Sequence, residues 1–176
     1  MKLTMYEASV PVFTRYLGQL AGMVRLAEEF AAQRNIDPQS ILQARLSPSM
    51  YPFAVQVEIA ANFAFRACAP LAGAEVPPFG GHRESFAALT ARLAETRAFL
   101  ATLTPGQMEG SERRQFTSQA GLGSVSLEGP VFLLQYALPN FLFHVTTAYA
   151  ILRHMGVGLG KADYDGFHVY AAPVKP

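Results

Sequence analysis

Between Tyr6 and Phe30 the apolar side chains return in alternating steps of three and four: Tyr6, Val10, Phe13, Leu17, Leu20, Val24, Ala27 and Phe30. This is the period of a helix with one apolar face. Arg15, Arg25, Glu28 and Glu29 fall off the stripe, as a solvated face requires. A first helix from about Met5 to Gln33 follows, with Thr4 as a cap for its start. So long an amphipathic helix must find other helices to cover it. Pro11 interrupts the pattern once and predicts either a kink or a late start.

The same period recurs three more times. Asp37-Pro38 has the order of an N-cap followed by proline at the first helical position, opening a short helix that ends near Arg45. Ser47 to Pro52 is a connector. A second long helix runs from about Tyr51 to Leu71, with Gly73 closing it, and residues 73–83 read as loop. A third runs from about Ser85 to Leu103, with Phe86, Leu89, Leu93, Leu100 and Leu103 inside and Glu84, Ala88, Arg92 and Glu95 outside. Thr104-Pro105 caps one extra turn. Residues 113–128 change to alternation around Gly121 and Gly123, a β-hairpin signal. The fourth long helix follows Gly129-Pro130 and ends at Gly156, with Pro139 expected to bend it. Residues 157–176 are rich in glycine and proline and predict irregular structure. The expected class is all-α: a helical bundle in one domain over residues 1–176, with a small hairpin inserted before the last helix.

Composition narrows the functional classes. Of 176 residues, 51% are apolar and 15% charged, and the net charge is +1. A charged share below the usual value of about 25% implies a large core, with apolar surface to spare for an oligomer interface. The charges are mixed in sign along the chain, so no nucleic-acid footprint is expected. No apolar run approaches the roughly 20 residues that span a membrane. The start of the chain lacks the charged-then-apolar order of a signal peptide, and a single cysteine, Cys68, needs no oxidising compartment. A cytoplasmic location is the expectation.

The second and fourth long helices carry the candidate site. Glu58, Asn62 and Arg66 recur every four residues and read as a solvated stripe. Gln56 lies about 200° around the helix from Glu58, and so points toward the core among Ala60, Phe63 and Ala67. A buried amide needs a partner. On the fourth helix Asn140 and His144 stand four apart, one turn apart on one face, which continues to Thr147 and Ile151. Gln56, Asn140 and His144 therefore form either a polar pocket in the bundle core or an internal network tying two helices together.

Other signals are weaker. Zinc takes about four ligands from cysteine, histidine and carboxylate, and His144 is the only such residue on its face. His154 and Arg153 suit the dipole at a helix C-terminus. The spacings of His82 and His168 assign them no role. Gly156 to Lys161 fails as a phosphate loop, because Ala162 stands where serine or threonine is needed and the segment follows a helix. Lys161, Asp163 and Tyr164 read as a solvated turn or a pocket mouth. No Gly-x-Ser-x-Gly elbow occurs, and Cys68, within an apolar run, reads as core.

Pro139-Asn140-Phe141, His144, Thr146-Thr147-Ala148-Tyr149, Leu152-Arg153-His154 and Gly160-Lys161-x-Asp163-Tyr164, with Met50-Tyr51-Pro52-Phe53 and Gln56, resemble the DinB-like (DinB/YfiT) superfamily. More closely they resemble an uncharacterised bacterial branch of it, a domain of unknown function. The resemblance covers nearly the whole chain. It implies an up-down-down-up four-helix bundle, often dimeric. Metal-dependent members use three histidines, one on the second helix and a pair four apart on the last. His144 matches the second of that pair, Asn140 the first and Gln56 the helix-two position, so no metal or other cofactor is expected. Ser49 stands where the branch carries aspartate.

The resulting expectation is a non-metal small-molecule-binding or scaffold domain, with pocket candidates Gln56, Asn140, His144, Thr147 and Tyr149, and a homodimeric state. The alternatives are a zinc- or nickel-dependent transferase or hydrolase, and a purely structural dimer.

Overall fold

The computed structural model describes residues 3–79, 81, 83–120 and 122–169; His82 and residues 170–176 lie outside them. Helix α1 (Met5–Arg34) begins where Thr4 and Glu7 cap each other. Glu7 N–H donates to Thr4 Oγ1 at 3.1 Å, and Thr4 N–H donates to the Glu7 carboxylate at 2.9 Å. This reciprocal box satisfies two backbone donors that the first turn would otherwise leave unpaired. It starts the helix upstream of Pro11, so the late start does not occur. Pro11 costs one rung of the ladder on an exposed face. Asn35 ends the helix in the left-handed region, at φ 52°.

Helix α2 (Pro38–Leu42) is capped by Asp37 and stops before Arg45. Helix α3 (Phe53–Leu71) follows the connector, its Phe53 N–H donating to the Ala44 carbonyl at 2.8 Å. Helix α4 (Phe86–Ala101) is capped by Ser85, which accepts from Ala88 N–H at 3.1 Å. The extra turn after Thr104 is a 3-10 turn over Pro105–Met108. Strands β1 (Gln115–Ala120) and β2 (Gly123–Glu128) form an antiparallel hairpin, paired from Gln115 opposite Glu128 to Ala120 opposite Gly123. Phe116 and Ser118 are buried while Gln115, Thr117 and Gln119 are exposed, as strand alternation demands. Phe116 stacks on Phe132 with centroids 5.2 Å apart.

The last long helical stretch is composite. A short α5 (Gly129–Val131) leads into a π-helical turn over Phe132–Ala137 and then α6 (Leu138–His154). Leu138 N–H reaches back five residues to the Leu133 carbonyl. The next residue, Pro139, has no N–H to give. The irregularity expected at this proline is therefore a widened turn just before it, of a kind found often at functional sites. Helix α7 (Lys161–Asp165) corrects the expectation of an irregular tail over those residues. Asp163 caps it by accepting Gly160 N–H at 2.7 Å, and Tyr164 packs against Tyr16 and Tyr149 with centroids 5.5 and 5.8 Å away. Asp163 and Tyr164 thus dock the turn onto α1 and α6 instead of leaving it solvated.

Helices α1, α3, α4 and α6 share one apolar core. Helix α3 packs on α6 and α4, and α1 packs on α4 and α7. Phe13, Phe53, Phe65, Phe132 and Phe141 are fully buried, with Phe13 edge-on to Phe141 at 4.7 Å. The inner stripes expected for α1 and α4 are inside, although Tyr6 and Phe30 are only half-buried. Cys68 is fully buried, and burial pushes its thiol well above the usual range, as a core residue requires. Among the described residues no helix is long and apolar enough to cross a membrane.

Two readings of polar faces are corrected. Arg92, expected on the outside of α4, is only 2% exposed. It donates to Asn62 Oδ1 and to Glu95 Oε2, both at 2.9 Å, and lies 4.7 Å over the Phe65 ring. The Glu58–Asn62–Arg66 stripe of α3 is partly covered rather than fully solvated, with Asn62 and Arg66 half-buried. Glu58 is buried and ion-paired to Arg83 at 3.3 Å, and Arg66 donates to Ser118 Oγ at 2.8 Å and to the Gln119 carbonyl in the hairpin. A charge spaced every four residues identifies a face but does not say whether another element covers it.

Gly129 marks the tightest approach. A Cβ there would lie 2.3 Å from the Ser111 carbonyl oxygen, while Gly129 N–H donates to the Arg114 carbonyl at 3.0 Å. Gly129→Ala is expected to lower unfolding free energy by about 1–3 kcal/mol, because the obstacle is backbone and cannot rotate away. Urea denaturation of the variant beside the native chain measures this.

Candidate functional site

The side chains of Gln56 and His144 meet across the α3–α6 interface. Gln56 is 2% exposed, and the amide that helix geometry turns inward finds His144 Nδ1 at 2.7 Å from its Oε1. Its Nε2 donates to the Tyr51 carbonyl at 3.0 Å. These contacts determine the tautomer. A carbonyl only accepts, so the Gln56 NH2 must face Tyr51 and its Oε1 must face the imidazole. An amide oxygen also only accepts, so His144 Nδ1 carries the hydrogen.

The ring is neutral, because burial lowers its pKa from 6.5 to about 4. Its Nε2 is then an unprotonated lone pair, with no hydrogen-bond partner among the described residues. Phe63 stacks on the ring with centroids 5.8 Å apart and planes at 23°, and Phe143 meets it edge-on at 5.2 Å. Two aromatic walls and one amide hold the imidazole in a single orientation.

The other candidates have different neighbours. Asn140 Nδ2 donates to the Tyr136 carbonyl at 2.7 Å, one turn back on its own helical stretch. It serves the backbone beside the π turn, and no hydrogen bond links it to Gln56 or His144. Thr147 is buried and bonds back to the Phe143 carbonyl at 2.7 Å, the usual way for a threonine to satisfy itself inside a helix. Tyr149 is half-buried against Tyr164. Of the five, the structure brings Gln56 and His144 into direct contact.

The residues that complete their surroundings were not singled out from the sequence. The Tyr51 carbonyl is backbone, and no pattern announces it. Phe63 lies two turns after Gln56 on the same face, a signal that was present but read as core. Tyr136 approaches Phe63 with centroids 6.1 Å apart and donates its hydroxyl to the Gln119 carbonyl at 3.0 Å, joining the site to the hairpin. Two cavities, of about 920 and 500 Å³, are lined by other residues and by none of the five candidates.

The donor set fits a metal poorly. Of the three positions that the superfamily resemblance points to, one offers an imidazole, one an amide whose oxygen already accepts a hydrogen bond, and one an amide turned to its own helix. Amides do not replace the imidazole, thiolate and carboxylate ligands that zinc selects. Among the described residues no group of three or more His, Cys, Asp or Glu side chains is placed to hold a metal ion.

The family described as "Domain of unknown function (DUF1993)" matches residues 5–165, from the first turn of α1 to the end of α7. The chain belongs to the DUF1993 family. This DUF1993 chain is also similar to a solved structure, a DinB family member protein from Shewanella denitrificans. The two share 33% identity and superpose with a TM-score of 0.85 over 96% of this chain and 95% of the other. The DUF1993 domain is accordingly DinB-like, as its last-helix motif implied. No functionally curated protein matches it.

The relay makes two testable statements about this domain. Gln56→Glu sets a carboxylate against the Nδ1–H and should raise the His144 pKa by about one to three pH units, read from imidazole NMR shifts. In the native chain the depressed pKa makes the unfolded state bind more protons between pH 6.5 and about 4. The contribution of His144 to stability is therefore complete above pH 6.5 and is lost as pH falls through about 4. A His144→Gln variant should show a shallower fall in melting temperature across that window.

Proposed function

We propose that this chain is a non-metal small-molecule-binding domain whose site is the neutral imidazole of His144, held by Gln56. The observation that carries this reading is the Tyr51–Gln56–His144 relay. It commits Nδ1 as a donor and leaves Nε2 as an oriented acceptor. A histidine whose pKa lies near 4 is a weak base at neutral pH, which argues for hydrogen-bonded recognition over proton transfer. Tyr51, 61% exposed, and Phe143, 57% exposed, flank the relay. Exposed aromatic residues beside a single oriented acceptor suit an uncharged ligand with a hydroxyl or amide N–H and a flat apolar body.

In this reading residues 1–176 form one domain, an up-down-down-up four-helix bundle of α1, α3, α4 and α6. The sharing of one core by these helices and the likeness to a DinB family member support it. The low charged fraction and the exposed Phe143 support a homodimer. Light scattering at high concentration should give twice the 19.1 kDa chain mass.

The metal-dependent transferase or hydrolase reading is tested directly. Purified protein dialysed against zinc or nickel should hold well under one equivalent by elemental analysis, and His144→Ala should not change that value. One equivalent of zinc or nickel, lost in His144→Ala, would replace the binding reading with the metal-dependent one.

A further inference from the structure

We propose that the groove between α1, α4 and the segment after α7 is a second binding site, which takes a small organic anion. The acidic head would lie on Arg15 and Arg97, and the apolar body along the groove wall. The groove encloses about 920 Å³, the size of a site for a drug-sized molecule. Arg15 and Arg97 both line it, from α1 and α4, and no aspartate or glutamate does.

Gly18 lets the Arg97 guanidinium lie against α1. It stands one turn after Arg15 on the same face of α1, where neighbouring Cβ positions are about 5–6 Å apart. A Cβ at Gly18 would lie 3.8 Å from Arg97 Cζ and 3.9 Å from its Nε and Nη2. The Arg97 guanidinium therefore lies across the bare turn of α1 that follows Arg15. Neither arginine forms an ion pair or hydrogen bond among the described residues, whereas Arg25, Arg83, Arg92 and Arg113 each have a carboxylate within 4.0 Å. Asp165, on the segment that closes the groove, is taken up locally. It accepts Phe167 N–H at 2.8 Å and lies 2.6 Å from His168 Nδ1.

The rest of the groove suits the body of such a ligand. Phe167 stacks under the Arg15 guanidinium, with Cζ 4.0 Å from the ring centre, and fixes that side chain at the mouth. Val10 and Leu100 are buried residues of its floor. Tyr16 adds a phenol beside Arg15. Two planar guanidiniums above an apolar floor match a phosphate or carboxylate carried on an apolar group.

Calorimetric titration with phenylphosphate, octanoate and the neutral benzyl alcohol tests the site on the full chain. Phenylphosphate or octanoate should saturate at one equivalent, and which binds tighter distinguishes a phosphorylated ligand from a carboxylate. Arg15→Gln and Arg97→Gln should each weaken that binding at least about tenfold. Gly18→Val, which fills the bare turn, should also weaken it, while His144→Ala should leave it unchanged. Both arginines are exposed, and unchanged circular dichroism and melting temperature would show that the variants fold. The proposal is overturned if the double Arg15→Gln, Arg97→Gln variant binds as the native chain does. It is equally overturned if benzyl alcohol binds as tightly as the anions, or if neither anion saturates at millimolar concentration.

Discussion

Helix α3 has no exposed residue along its length, and the rest of the structure is arranged around that constraint. A helix so largely covered needs its polar side chains answered from neighbouring segments, because an unanswered polar group in the interior costs more than a hydrogen bond returns. Its alanines, Ala54, Ala60, Ala61, Ala64, Ala67 and Ala69, let neighbours approach closely. Its polar residues then select which neighbours come. Gln56 meets His144 of α6, Asn62 meets Arg92 of α4, Glu58 meets Arg83 before α4, and Arg66 meets the hairpin.

The Gln56–His144 pair leaves one ring nitrogen of the imidazole without a hydrogen-bond partner among the described residues. Asn62 Oδ1 accepts from Arg92, which also donates to Glu95, while Arg92 Nε has no hydrogen-bond partner among the described residues. Glu58 Oε2 and Arg83 approach as an ion pair at 3.3 Å without hydrogen-bond geometry. His144 differs because the relay occupies one ring nitrogen and leaves the second. Of the pocket and the network that the spacing left open, the hydrogen bond between the two helices is present.

The apolar periodicity was legible, and so were the elements it builds. The stripe from Val10 to Ala27 became the buried face of α1, and Leu89, Leu93 and Leu100 that of α4. Gln56 was legible as an inward amide because 3.6 residues per turn fix where a side chain points. The misread charged faces had one cause. Charge at helical spacing reports a face, and the environment of that face depends on elements distant in sequence. Arg92 and the Glu58–Arg66 stripe were placed in water for that reason. Asn140 bonds away from His144 for a local reason. Sharing a face with His144 did not decide its partner, because the π turn before Pro139 offered the Tyr136 carbonyl at closer range.

By itself the sequence determined the four long helices, the hairpin, the inward amide on α3 and the family. Each follows from short-range rules: the helical period, strand alternation, capping chemistry and a motif on the last helix. The tertiary structure alone decided that Gln56 and His144 touch, which ring nitrogen carries the hydrogen and that the imidazole stays neutral. It alone also set the Arg97 guanidinium against the bare turn at Gly18. Those outcomes depend on which surfaces come together and how much water they exclude, and a chain read residue by residue contains neither quantity.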